Sequence, residues 1–171
     1  MNERAPAPGG LALIEALVNT LLDTTTGADT LDSAADRARF GFTAEQTDDV
    51  RELRESLRAA CLAHAGHPPH RSVTPLSRLL ARAPLRVAVD DHDGSAALVP
   101  LTADAPLPTR IAAAIAEATT QGTWTRLKAC EAEDCLWAFY DRSPAGRGRW
   151  CSMSVCGARA KMRRYRARQA P

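Results

Sequence analysis

The chain lacks several common features. None of its 171 residues belong to an apolar run near the ~18–20 needed to cross a bilayer, so no membrane association is expected. Residues 1–10 lack the basic-then-apolar order of a secretory signal. A cytoplasmic protein is therefore expected, and in that reducing setting cysteines read as metal ligands rather than disulfides. There is no internal repeat, heptad or low-complexity tract, which sets aside solenoids and coiled coils. The first 125 residues show no nucleophile–base motif, so no enzyme is expected. No acidic residue follows Asp141.

What cysteine there is lies close together. Four of the five cysteines, Cys130, Cys135, Cys151 and Cys156, form a C-x4-C-x15-C-x4-C pattern. Two clips of two thiolates, joined by a segment that folds back, are what one tetrahedral zinc ion needs. Four sulfurs also leave no position for water, which makes the zinc structural and argues again against catalysis. Cys61 lies on an apolar helix face and reads as a small buried hydrophobe outside the metal site.

The net charge of +2 conceals an asymmetry. Residues 126–171 carry 11 Lys and Arg against 4 Asp and Glu, and the remainder carries 11 against 16. An acidic body with a basic end predicts a polyanionic partner for that end, with double-stranded DNA the usual one.

Hydrophobic spacing predicts a helix from Leu11 to Leu22, closed over Thr24–Gly27, and a second from Leu31 to Phe40, stopped at Gly41. Thr43 and Gln46 stand in capping-box positions ahead of a long helix. That helix has Val50, Leu53, Leu57, Ala60 and Cys61 on one face and an Arg51–Glu55 pair on another. His64, His67 and His70 are expected in solvent, since Pro68 and Pro69 deny them a shared helical geometry. Pro75 to Ala83 reads as helix. Leu85–Val89 and Ala96–Pro100 flank Asp93-Gly94 as a hairpin whose aspartates and His92 form a solvated turn. Pro106 and Pro108 open a helix over Ile111, Ala114, Ile115 and Ala118 that Gly122 closes. Trp124 and Leu127 are expected core contacts.

In the cysteine-rich segment, Leu136–Tyr140 reads as a strand and residues 143–149 as a mobile basic loop. The aromatics of the segment are expected to pack around the metal, with stacking on bases the competing reading, above all for Tyr140 and Trp150. A basic helix follows from Ser154 to Arg168. At ~100° per residue, Val155, Ala158, Met162 and Tyr165 form a stripe expected to pack on the rest of the chain. Arg159, Arg163 and Arg166 fall on one flank, and Lys161, Arg164 and Arg168 on the other. Cations on both flanks suit a helix between two phosphate walls, with Arg147 and Arg149 of the loop as further DNA contacts. Arg159 or Arg163 is the expected base reader. Lys128, Arg149 and Arg159 could also offset the formal charge of a four-thiolate zinc.

The residues W-x-R-L-K-A-C-x4-C-x-W-x-F-Y-D-R-S, followed by R-x-R-W-C-S-M-x-x-C-G-x-R-A-K-x-R-R-Y-R-A-R, span Trp124 to Arg168. They resemble the CGNR zinc-finger family very closely. By position, the resemblance makes the four cysteines the zinc ligands and puts Ala158 where the family has Asn. The first half resembles the ABATE domain that precedes this finger. The matching stretches are L-A-L-I-E-A-L-V-N-T-L at Leu11–Leu21, the arginine–leucine helix at Arg51–Leu57 and L-x-x-L-L-A-R-A-P-L-R-V at Leu76–Val87. The resemblance implies a bacterial, stress-induced transcription regulator whose N-terminal domain senses a small-molecule or protein effector. It leaves room for a homodimer. The competing expectation is an adaptor whose zinc module docks an acidic partner of the transcription machinery.

The expected architecture is α+β. Residues 1–10 form a loose arm and 11–122 a mainly helical domain with a β-hairpin, able to fold without metal. Residues 123–171 form a treble-clef-like zinc finger ending in a basic helix.

Overall fold

The computed structural model describes residues 5–23 and 26–169. Helix α1 (Leu11–Val18) buries Leu11, Ile14, Leu17 and Val18. Its entry is tight: a Cβ on Gly10 would come within 2.7 Å of the Ala114 Cβ. The helix ends four residues before Leu22 because polar groups take over the backbone. Thr20 Oγ1 donates to Leu17 O at 2.8 Å, and Thr30 N–H donates to Thr20 O at 2.9 Å. Leu21–Asp23 (β1) then pair with Ala28–Asp29 (β2), which leaves Leu22 exposed. Thr24 and Thr25 of the expected helix end lie outside the described residues.

Helix α2 (Ala34–Phe40) is capped by Ser33, whose Oγ accepts from Asp36 N–H, and is stopped by Gly41 at φ 73°. The Thr43–Gln46 capping box forms as expected and leads into the central helix, α3 (Thr47–His64). Its apolar face carries Val50, Leu53, Leu57, Cys61 and Leu62, but Arg54, Glu55 and Arg58 are buried as well. The expected Arg51–Glu55 pair does not form. Arg51 reaches Asp29, Asp32 and Asp48 instead. Glu55 accepts from Arg54 at 2.7 Å and Arg58 at 3.0 Å, and lies 2.9 Å from His70 Nε2. Buried charges are tolerable only when paired, and these side chains turn inward toward one another.

The expected helix from Pro75 to Ala83 shrinks to one turn, α4 (Leu76–Leu79), and the chain turns over residues 80–82 before Pro84. Strands β3 (Leu85–Val89) and β4 (Ala96–Pro100) pair as expected, from Leu85↔Pro100 to Val89↔Ala96. The turn between them, with His92 and its aspartates, is exposed. Helix α5 (Leu107–Thr120) buries Leu107, Ile111, Ala114 and Ala118. A 3-10 turn at Trp124–Arg126 follows, then β5 (Leu127–Ala129), antiparallel to β6 (Ala138–Tyr140). A π-helical turn, Met153–Gly157, runs into α6 (Ala158–Gln169).

Packing crosses the expected boundary at Gly122–Thr123. The main core joins Leu11, Ile14, Leu57 and Ile111 to Leu127, Ala129, Leu136 and Ala138. A second, smaller core gathers Cys130, Phe139, Cys151 and Cys156, with Trp137 and Trp150 against it. The β5–β6 hairpin separates the two, with Leu127, Ala129 and Ala138 toward the first and Phe139 toward the second. The arm is also held from residue 5 onward: Ala7 is buried, and Arg142 donates to the carbonyls of Ala5 and Pro6. No helix among the described residues is long and apolar enough to cross a membrane.

Candidate metal centre

Strand β5 delivers Cys130 to the site, and the chain then turns tightly to bring Cys135 back. Cys135 N–H donates to Ala132 O at 2.8 Å, and Cys130 N–H to Trp137 O at 2.9 Å. Leu136, just after the turn, has φ 52°. It is the single non-glycine with positive φ among the described residues, a conformation that costs ~1–3 kcal/mol. The second clip starts at Cys151. Ser152 Oγ accepts from Val155 N–H at 3.3 Å, and Gly157 N–H donates to Ser152 O at 3.0 Å. These bonds wind the π-helical turn that carries Cys156. Glu131 N–H donates to Arg149 O at 3.0 Å and ties the clips together.

All four sulfurs lie within 4.8 Å of one another. Cys135 and Cys151 are 3.6 Å apart, and Cys151 and Cys156 are 3.7 Å apart. Tetrahedral zinc with Zn–S bonds of ~2.3 Å requires sulfurs ~3.8 Å apart, so the cluster fits one structural zinc ion. Hydrogen bonds from Cys135 and Cys151 draw the Cys130 thiol down to about 2. The same interactions push Cys135 up to about 12 and Cys151 upward. Without a cation, the sulfurs share protons; a divalent ion deprotonates them together. Cys61 is remote, fully buried, and raised by that burial to about 12.

Of the three cations expected to offset the thiolates, only Arg159 does so. Its guanidinium lies 3.4 Å from Cys156 Sγ and 3.0 Å from Asp134. Lys128 instead pairs with Asp141 at 2.9 Å and donates to Gly146 O. Burial works against the Asp141 charge. The Lys128 ammonium, together with N–H donors of Ser143 and Gly148, outweighs it and holds the carboxyl well below the usual range. The loop over residues 143–149 is therefore pinned rather than loose. Arg149 forms a two-pronged pair with Glu131.

Three polar anchors, which residue spacing gave no reason to single out, join the site to the helical body. Asn19 pairs with Ala138 like a strand residue, donating to its O at 3.0 Å and accepting from its N–H at 2.7 Å. Arg58, 1% exposed, donates to Leu136 O at 2.6 Å and Val18 O at 2.8 Å. His64 donates from Nδ1 to Leu127 O at 2.7 Å and stands edge-on to Trp124. Burial lowers its pKa, though the Leu127 contact opposes this. His64 and His67 thus depart from the expected solvated loop, with His67 Nε2 3.6 Å from Glu131, whereas His70 is exposed as expected and lies against Glu55.

Helix α6 stands out from the body. Ala160 is its one buried residue. Val155, Met162 and Tyr165 are 51%, 50% and 57% exposed, and Ala158 is exposed too, so the stripe expected to pack inward is unpartnered. Lys161, Arg164 and Arg168 line a groove of about 700 Å³ walled by Trp150 and Met153. Arg163 lines both this groove and the opposite flank, where Arg159 and Arg166 lie. Apart from Arg159, these six cations, together with Arg147 of the loop, form no ion pair among the described residues.

No curated protein matches the chain. Residues 126–169 match the family model described as the CGNR zinc finger, and residues 11–122 match ABATE, described as "putative stress-induced transcription regulator". With a family match over well more than half its length, the chain belongs to the ABATE family and carries a CGNR zinc finger at its C-terminal end.

Proposed function

We propose that the chain is a zinc-dependent transcription regulator that binds double-stranded DNA through its finger, with α6 as the main contact element. The observation that carries this reading is the contrast among the cations. Arg149 and Arg159 are neutralised by Glu131 and Asp134. Lys161, Arg163, Arg164, Arg166 and Arg168 are exposed and carry no acidic partner among the described residues. A helix that keeps five cations unpaired on two flanks is matched to phosphate, and each cation placed there releases counterions. Residues Cys130, Cys135, Cys151 and Cys156 are the proposed zinc ligands, and the metal's role is structural. Arg163 is the proposed base reader, since Arg159 is occupied by Cys156 and Asp134. Arg147 is a further contact from the loop.

In this reading residues 11–122 sense an effector. A groove of about 430 Å³, lined by Phe42, Val50, Leu53, Leu79 and Leu107 with Glu52 at its edge, is the place proposed for it. Helix α3 carries Val50 and Leu53 of that groove and, farther along, Arg58, which reaches Leu136 beside the first clip, so one rigid element touches both.

The exposed Met153, Val155, Met162 and Tyr165 favour a second reading, an adaptor that docks an acidic partner protein. Binding of the zinc-loaded chain to genomic DNA fragments separates the two. Retention of fragments that is lost on chelation supports the first. Absence of retention at low salt overturns it in favour of the adaptor.

A further inference from the structure

The β3–β4 hairpin is a sheet of two strands, and β4 lies nearer α5, so β3 is the outer strand. Asp90 N–H donates to Ser95 O at 2.8 Å, which fixes the alternation along the ladder. Asp90, Ala88 and Arg86 turn their backbone groups to β4, while Leu85, Val87 and Val89 turn theirs outward. The edge has little of the usual protection. Its register runs without a bulge, it contains no proline, and its one charge is Arg86. Val87 and Val89 are 63% and 60% exposed, and Leu98, paired with Val87, is 47% exposed.

The ends of this neutral strand carry opposite charge. Arg82 and Arg86 stand at its start, Asp90 and Asp91 at its finish. All four are exposed, and none forms an ion pair among the described residues.

We propose that the edge of β3 pairs with β3 of a second copy of this chain, antiparallel about a two-fold axis at Val87. Val87 then exchanges both backbone hydrogen bonds with Val87 of the second copy, and Leu85 does the same with Val89 at either side. The two-fold reverses the strand, so the arginine end of each copy meets the aspartate end of the other. Asp90 falls opposite Pro84 of the second copy, with Arg86 its diagonal neighbour on the same face and Arg82 in the turn just before the strand. The contact is made twice, as a closed two-fold interface requires. This self-complementarity is what names a second copy, rather than a strand from a different protein, as the occupant. The dimer weakens as salt screens the end charges.

The proposal does not depend on DNA binding, and its test contains no DNA. The mass of the full, zinc-loaded chain is measured by sedimentation equilibrium at low salt. Three samples are compared with wild type: Arg82→Glu with Arg86→Glu, Asp90→Lys with Asp91→Lys, and an equimolar mixture of these two variants. Wild type is expected to dimerise, each variant alone to stay monomeric because like charges meet, and the mixture to dimerise again. Restored pairing in the mixture also shows that both variants are folded. A monomeric wild type, a dimer that survives in either variant alone, or a mixture that stays monomeric overturns the proposal. The first of these leaves the edge to a different protein's strand.

Discussion

Arg58 Nη1 donates at 2.6 Å to the carbonyl of Leu136, the residue whose positive φ follows the first zinc clip. A residue in the middle of the central helix thereby holds a strained backbone turn 78 positions later in the chain. The same guanidinium reaches Val18 O and Glu55, so helix, body and metal loop share one buried cation.

Replacing Arg58 by Met should therefore act in two places. Glu55 and the Leu136 carbonyl lose their buried partner, at a cost of ~3–5 kcal/mol in global stability. Zinc affinity should fall as well, because the Leu136 turn is released. Urea unfolding of the zinc-loaded chain and competition against a metal indicator measure the two effects. Unchanged affinity would show that the clip is shaped without this tie.

Asn19→Ala removes both bonds to Ala138 and should cost ~1–3 kcal/mol, since a buried N–H and carbonyl are left unpaired. Truncation after Gly122 should cost more. It takes away Leu127, Ala129, Leu136 and Ala138, which complete the main core, and leaves Asn19 and Arg58 without their partners. Chelation of the full chain is milder: the second clip and α6 should loosen while β5–β6 stays docked. Amide exchange by segment checks this, and slow exchange throughout 151–169 after chelation would contradict it.

Glu55 gives a pH dependence with a definite sign. Burial raises its pKa, but His70, Arg58 and Arg54 outweigh that and hold it well below its ordinary value. A carboxylate depressed in the folded state contributes stability that is full above its unfolded pKa of ~4.3 and is lost as pH falls below it. Wild type should therefore be much more stable than Glu55→Gln near neutrality, with the gap closing below about pH 4. Thiolate protonation affects both chains and drops out of the difference. A gap that does not vary with pH would show that the loss is one of packing.

Cys61→Ser should keep one zinc per chain, and Cys151→Ser with Cys156→Ser should abolish it; elemental analysis decides both. With its thiol pushed up to about 12, Cys61 should also resist alkylation at mild pH until the chain unfolds.

Much of this was legible in the sequence because local signals were strong and consistent. The Thr43–Gln46 box, Gly41, the Asp93-Gly94 hairpin and the paired cysteines each fix geometry within a few residues. Helix α1 was overextended because Leu21 and Leu22 keep the helical period while the hydroxyl of Thr20 breaks it. Arg58, Asn19 and His64 were hidden for another reason. Their partners are main-chain carbonyls and N–H groups 40 or more positions away, and a backbone amide leaves no mark in residue type. The α6 stripe misled because the spacing of Val155, Met162 and Tyr165 reports a shared face, not what covers it.

The central claim is that the zinc-held finger presents α6 to DNA phosphates, and the salt dependence of binding tests it most directly. Affinity of the zinc-loaded chain for a fixed duplex is measured across a salt series, for wild type and for Arg163→Ala with Arg164→Ala. Each phosphate contact contributes about −0.9 to the slope of log K against log salt, so with Arg163 on a base edge, Lys161, Arg164, Arg166, Arg168 and Arg147 predict a wild-type slope of up to about −4.5. The double variant should be flatter by ~1–2, with zinc content unchanged. Equal slopes for the two chains would contradict the account and remove α6 as the DNA-contacting element.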